Sequence, residues 1–362
     1  MITILVMNLI LVIIAVLLAI ADYYLVSYKE CNIVINKEKV LRVKGGRFLL
    51  NYFVENKIYI PSACGGKATC GHCKVKVLSG AGPILPTEEV YIPMSERLSG
   101  IRLACQVKVK NDIEIYIPEH LLEAKEYLAV VEKIVSVTHD IKHITLKLLE
   151  PPTIKFLPGQ YIQIKVPGTE EFRAYSIASP PSQNDKIELL IRLVPGGLCS
   201  TYIHKVLEVG DKVFFTGPFG EFFLREDSTK DILCIGGGCG MAPIRSIILH
   251  LAEKGMKRKV TFFFGARAKR DLFFTEELKE LEKKYPNFKF IPALSEPLPQ
   301  DKWDGDVGLI TQVVEKYIDQ IKRDGTPLLE AYLCGPPPMI DAAIKVLSKH
   351  GVLQEDILYD KF

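Results

Sequence analysis

Four cysteines, Cys64, Cys70, Cys73 and Cys105, crowd into one short stretch of a 362-residue chain that has nine cysteines in all. Their spacing is C-x5-C-x2-C-x31-C. Three thiols in one tight loop with a fourth from a distant segment is how a plant-type 2Fe–2S cluster is held. Such a loop must wrap its amides toward sulfur at unusual φ values, and Gly65, Gly66 and Gly71 suit that task. A structural zinc site is the main rival, but its thiolates come as two separate C-x2-C-like pairs. A Rieske centre needs two histidine ligands, and His72 is the only histidine nearby. An odd cysteine total in so long a chain also favours metal binding over a secreted disulfide scaffold. Before the loop, CNIVIN and KVLRVKGG alternate in polarity and predict a β-hairpin closed near Asn36 and Lys37.

The first segment is of another kind. Residues 2–21, ITILVMNLILVIIAVLLAIA, carry Thr3 and Asn8 as their only polar side chains. Twenty residues at a helical rise span about 30 Å, the hydrocarbon thickness of a bilayer. No Lys or Arg precedes Lys29, so the basic start of a cleavable signal peptide is missing. Lys29, Lys37, Lys39, Arg42 and Lys44 gather just after the run. This predicts one transmembrane anchor over residues 1–28, N-terminus outside the cytoplasmic (inner) membrane, with the rest of the chain in the cytoplasm. With 46 Lys plus Arg against 43 Asp plus Glu, the formal charge of +3 gives no electrostatic case for nucleic acid.

The stretch CGGKATCGHCKVKV resembles the ferredoxin domain of the F subunits of sodium-pumping NADH:quinone reductases. A membrane anchor ahead of a ferredoxin domain is that family's arrangement too. The resemblance implies a β-grasp 2Fe–2S domain over residues 29–124, with Cys64, Cys70, Cys73 and Cys105 as ligands.

Between about residues 127 and 224 come short β-type runs separated by turn signals such as Pro151-Pro152, Pro158-Gly159 and Gly196-Gly197, which predict an antiparallel barrel. Inside it sits RAYS: Arg173, Ala174, Tyr175 and Ser176. RxYS, with PGQY before it and GPFGEFF after it, resembles the flavin motif of the ferredoxin–NADP reductase superfamily. The chemistry fits FAD. Arg173 can pair with a pyrophosphate, Tyr175 can stack on the isoalloxazine, and Ser176 can hydrogen-bond near its reactive nitrogen. Downstream, Gly197, Ser200 and Thr201 open a predicted helix whose N-terminus suits the pyrophosphate. Cys199 reads as packing. The resemblance places the FAD domain at residues 125–226.

From Asp231 strands and helices alternate, which predicts a parallel α/β sheet, the NADH domain of residues 227–362. GGGCGMAP ends the first strand and offers Gly236, Gly237, Gly238, Gly240, Met241 and Pro243 to the nucleotide phosphates. Met241 stands where G-x-G-x-x-G has its last glycine, so the bare pattern is weak. The loop nevertheless matches GGGxGxAP of the same superfamily. CGPPPM resembles that superfamily's second nucleotide motif, which implies Cys334 beside the nicotinamide with Gly335 and Pro336. Glu296 would oppose a 2′-phosphate and favours NADH, while Arg267 and Lys269 cut the other way. The chain ends ILYDKF, and the resemblance implies that Phe362 covers the flavin face.

The resemblance to these F subunits runs through the whole chain, except that only residues 162–172 separate PGQY from RAYS, where the family carries a longer insertion. It implies an NADH-oxidising reductase that sends electrons from NADH to FAD to the 2Fe–2S cluster and on to membrane subunits and quinone. A hydride carries two electrons and the cluster takes one, so a flavin must stand between them. Two other readings stay open: the reductase component of an oxygenase, and a non-enzymatic ferredoxin-type electron carrier.

Overall fold

The computed structural model describes residues 2–25, 28–169, 171–324 and 328–362. The chain divides into two compact units, Met1–Leu122 and Glu123–Phe362. Helix α1 (Ile2–Leu25) opens the first. Its described side chains, residues 6–17, are all exposed. The rest of the expected anchor's side chains, up to residue 27, lie outside the described ones. Among the described residues no helix is long and apolar enough to cross a membrane.

The remainder of the first unit is a mixed sheet gripping a helix. It comprises β1 (Glu30–Ile35), β2 (Lys39–Lys44), α2 (Leu49–Glu55), β3 (Lys74–Ser79), α3 (Pro86–Glu89), α4 (Met94–Leu98), β4 (Ile101–Leu103), β5 (Ile113–Tyr116) and α5 (Glu119–Leu122). The sheet order is β2-β1-β5-β3-β4, with β1 parallel to β5, as in a β-grasp. The predicted hairpin forms: Val34 faces Val40, and Asn36 and Lys37 turn the chain at positive φ. Alternation in β1 sends Cys31, Ile33 and Ile35 inward onto Leu49 and Phe53 of α2.

In the second unit β6 (Lys125–Ser136), β7 (Ile141–Glu150), β8 (Tyr161–Lys165), β9 (Phe172–Ser176), β10 (Lys186–Arg192) and β11 (Lys212–Phe219) form an antiparallel sheet, with α6 (Leu198–Lys205) after β10. A bridge between Ile177 and Leu189 joins the tail of β9 to β10 and closes the barrel. The parallel sheet follows: β12 (Asp231–Gly237), α7 (Met241–Glu253), β13 (Val260–Ala266), α8 (Thr275–Lys284), β14 (Phe288–Leu294), β15 (Asp306–Val307), α9 (Ile310–Asp324), β16 (Leu329–Gly335), α10 (Pro337–Lys349) and β17 (Ile357–Lys361). Its order, β15-β14-β13-β12-β16-β17, reverses at β12. In an open parallel sheet that reversal makes a crevice beyond the carboxyl ends of the strands, where ligands bind. Both faces are covered. Ile232 and Cys234 join the α7 and α8 layer, and Leu233 and Ile235 join the α9 and α10 layer. Ile141, Ala178 and Leu190 of the barrel share the first of these cores, so barrel and sheet pack as one body.

Candidate functional site

Cys64, Cys70 and Cys73 lie on the loop between α2 and β3, and Cys105 follows β4. The loop closes on the fourth cysteine: a Cβ on Gly66 would lie 3.9 Å from that of Cys105. Cys64 Sγ and Cys70 Sγ are 3.4 Å apart, and the thiols of Cys73 and Cys105 hydrogen-bond each other. All four are free thiols, and Cys70 alone is partly exposed. Among the described residues no three His, Cys, Asp or Glu side chains converge as a single-ion site requires. Two facing pairs suit a binuclear cluster, in which each iron takes two protein ligands. In each pair the fold lowers one thiol and raises the other. Burial works against Cys64, but hydrogen bonds from Thr69 and Cys70 prevail and lower it, while burial raises Cys70. The Cys73 hydrogen bond brings Cys105 down to about 7 and raises Cys73 in turn.

The segment leading to Cys105 is braced by residues that sequence reasoning missed. Arg102 Nε donates to Glu88 Oε1 at 2.9 Å and its Nη2 to Oε2 at 2.6 Å, with Glu88 fully buried. Glu88 also accepts from Leu103 N–H, two residues before Cys105. No local spacing marks this pair, because its partners meet only through the fold. Gly71, at φ +69, lies under Tyr91, whose ring a Cβ there would strike at 2.7 Å.

On the barrel, β9 carries the flavin motif. Arg173 Nη2 meets Glu171 Oε2 at 2.6 Å and Nη1 donates to Phe172 O, which holds the guanidinium at the strand's mouth. Ala174 is exposed, and Tyr175 and Ser176 are half-buried. Burial and then the neighbouring Cys199 raise the Tyr175 hydroxyl far above its ordinary range. Cys199 is fully buried in the barrel core, as packing predicts, and hydrogen-bonds Tyr175 as well. Gly197 caps α6 in an extended conformation. Ser200 is buried and its Oγ accepts from Val194 N–H, so the hydroxyl braces its own loop. Thr201 is half-buried in the first turn.

The nucleotide residues assemble at the carboxyl edge of the parallel sheet. Gly236 and Gly237 end β12, Gly238 and Gly240 bound a 3-10 turn, and Met241 starts α7. Gly240 is the position that admits no side chain: a Cβ would lie 1.9 Å from Cys334 O. Met241 and Pro243 are buried, Met241 in the core beneath α7. Cys334 sits opposite Gly236 on one side and Asp360 on the other, and burial raises its thiol well above the usual range. Gly335 ends β16 and Pro336 caps α10. Arg267 and Glu296, both exposed, follow β13 and β14, and Glu296 N–H donates to Arg267 O at 2.8 Å. Phe362 is half-exposed beyond β17, its N–H directed at Gly335 O at 3.4 Å. Asp360 was missed by sequence reasoning, and the signal was an acid inside the otherwise apolar run ILY before it. Burial alone raises its carboxyl to about 6.

A β-grasp unit with two thiol pairs, joined in one chain to a flavin-type barrel and a nucleotide-type sheet, defines an NAD-linked flavo-iron–sulfur oxidoreductase. Three sequence families match in the same order: the 2Fe-2S iron-sulfur cluster binding domain at residues 33–110, the oxidoreductase FAD-binding domain at 128–224, and the oxidoreductase NAD-binding domain at 234–345. FAD, NADH and a 2Fe–2S cluster are therefore its cofactors. The F subunit of the Na(+)-translocating NADH-quinone reductase of Neisseria meningitidis serogroup C is 39% identical over 395 residues, covering 98% of this chain and 96% of that protein. Its counterpart in Actinobacillus succinogenes is 38% identical over 98% of this chain and 96% of its own length. The chain belongs to this family of Na(+)-translocating NADH-quinone reductase F subunits. Among solved structures, the Amycolatopsis cytochrome P450 reductase GcoB is 28% identical with a TM-score of 0.73, covering 92% of this chain and 98% of that one. The ferredoxin reductase in carbazole 1,9a-dioxygenase is 27% identical with a TM-score of 0.69, covering 92% and 99%.

Proposed function

We propose that this chain is the NADH-oxidising subunit of a membrane-bound, sodium-translocating quinone reductase. FAD, when bound, accepts two electrons as hydride from NADH and releases them singly to the 2Fe–2S cluster. The observation that carries the reading is the concurrence in one chain of two facing thiol pairs with a flavin barrel and a nucleotide sheet that share a core. Cys64 with Cys70 would hold one iron and Cys73 with Cys105 the other. Arg173 neutralises the FAD pyrophosphate with help from Gly197, Ser200 and Thr201, Tyr175 packs on the ring system, and Ala174 and Ser176 line its edge. Gly236, Gly237, Gly238 and Gly240 admit the NADH phosphates, with Met241 and Pro243 supporting that loop from the core. Cys334, with Gly335 and Pro336, borders the nicotinamide. Phe362 excludes water from the flavin face, and Arg267 and Glu296 frame the adenosine ribose.

The domain boundaries follow the same reading: an anchor at 1–28, the ferredoxin domain at 29–124, the FAD domain at 125–226 and the NADH domain at 227–362. The anchor rests on the apolar sequence of residues 2–21, which as a helix would span about 30 Å. Its N-terminus lies outside and residues 29–362 lie in the cytoplasm, by the excess of Lys and Arg after the helix. The test is electron paramagnetic resonance on purified full-length protein. NADH alone should generate the signal of a reduced 2Fe–2S cluster, and membranes should then pass those electrons to quinone. Zinc in place of iron, or a cluster that NADH leaves oxidised, would overturn the assignment.

The likeness to the P450 and carbazole dioxygenase reductases favours a second reading, in which the acceptor is an oxygenase component. Co-purification from detergent-solubilised membranes separates the two, through the proteins that come with this one.

A further inference from the structure

Arg245 lies in the second turn of α7, four residues after Met241, and is nearly buried. It belongs to neither the nucleotide loop nor the flavin motif, yet its guanidinium reaches three elements at once. Nε and Nη2 grip Glu277 of α8 as a fork, both at 2.8 Å. Nη1 donates to Glu188 Oε2 of β10 at 2.7 Å and to the backbone oxygen of Ala178 at 3.0 Å. Ala178 is two residues beyond Ser176, the end of the flavin motif. Next to it, Ser246 Oγ donates to Ser179 O at 2.7 Å. On the far side His143 of β7 meets Glu188 at 3.2 Å, and Phe274 lies under the guanidinium at 4.6 Å. The same helix turn thus follows the nucleotide loop at one end and holds the tail of the flavin strand at the other.

We infer that Arg245 is a positioning residue for hydride transfer, which fixes the distance between the nucleotide loop and the flavin strand through Glu277, Glu188 and Ala178. The chemistry of the contact favours this over a purely stabilising role. Replacing buried ion pairs by apolar packing is often neutral for stability, whereas a forked, directional set of bonds admits one geometry. The inference rests on the flavin and nucleotide reading of these two motifs. Hydride transfer needs the reacting atoms within a narrow range, and about 1 Å of misplacement can cost on the order of a hundredfold in rate.

The test uses the full chain carrying FAD and its cluster, with Arg245→Met and, as the variant more certain to fold, Arg245→Lys. A lysine keeps the charge but cannot span the fork. Stopped-flow reduction at saturating NADH should slow by about ten- to a hundredfold in Arg245→Met and by less in Arg245→Lys. NAD+ affinity by calorimetry and FAD content should stay close to wild type. Hydrogen exchange should rise together in residues 177–190 and 238–250. Unchanged flavin reduction in both variants, a slowing that tracks FAD loss, or exchange that rises in α7 alone would overturn the inference. Wild-type FAD content beside binding but no reduction of flavin even in wild type would instead sink the functional reading on which it rests.

Discussion

Asp360 is half-buried, and the fold around it desolvates its carboxylate in part. Burial raises it to about 6, against about 3.9 for an unconstrained aspartate. A carboxyl raised by folding stabilises the protein in its protonated form. That contribution is full below about pH 4 and is lost as the pH climbs through about 6. Asp360→Asn removes the penalty. The variant is expected to exceed wild type in stability by on the order of 2 kcal/mol more at pH 8 than at pH 4.5, read from urea unfolding at the two pH values. A difference that ignores pH would show that the carboxyl is already solvated. Arg173 makes the opposite case, a charge held ready for use. Glu171 orients its guanidinium at 2.6 Å, so the fork is set before any phosphate arrives. Arg173→Leu is expected to weaken FAD retention by about ten- to a hundredfold, the worth of one charge-assisted hydrogen bond. Full flavin occupancy after extensive dialysis would show Arg173 to be a surface charge only.

At the scale of elements, periodicity and turn chemistry carried the reading where neighbours in sequence are neighbours in space. The hairpin of β1 and β2 was legible because an Asn-Lys pair can turn at positive φ between two alternating runs. The change from period two to alternating strand and helix announced the parallel sheet, and the C-x5-C-x2-C loop announced its own thiol cluster. The Glu88–Arg102 pair, the Arg245 fork and the burial of Asp360 were not legible. Each depends on two elements far apart in sequence, and local pattern records only which face of one element is apolar. The metal loop is an element that can be tested alone. Cys70→Ser leaves one sulfur of the first pair and all of the barrel untouched. It should abolish the 2Fe–2S absorbance and bound iron, keep FAD, and leave NADH reduction of flavin intact. Loss of flavin together with iron would show that the two units do not fold independently. Strand β17 offers another test, because it carries Phe362 to the carboxyl edge beside Gly335. A ring stacked on flavin must swing aside for nicotinamide, at a cost of about 0.5–1.5 kcal/mol. Phe362→Ala should therefore bind NADH more tightly and brighten flavin fluorescence. Equal affinity and equal emission would leave Phe362 as an ordinary last residue.

For the molecule as a whole, the division of labour lies between one apolar helix and everything that binds a cofactor. Every thiol of the cluster, every residue of the flavin motif and every residue of the nucleotide loop lies beyond residue 28. The parts that must be dry and packed, the β-grasp core and the shared core of barrel and sheet, are built from residues after it as well. Nothing in cofactor chemistry therefore requires α1, while delivery of electrons to a quinone does require nearness to the membrane where quinone dissolves. Were residues 2–20 to enter a bilayer, their fourteen Leu, Ile and Val residues would contribute several kcal/mol, at about 0.3–0.6 kcal/mol each. A chain beginning at Lys29 is expected to be released to the soluble fraction and to keep its FAD and cluster. It should oxidise NADH with ferricyanide at the full-length rate, since that acceptor comes to the protein through water. When it is added back to membranes stripped of the native protein, quinone reduction should fall at least about tenfold, because the acceptor must now be found by diffusion rather than by tethering. If the shortened chain restores quinone reduction fully at equal concentration, docking on membrane partners suffices and the helix is not what holds the protein in place.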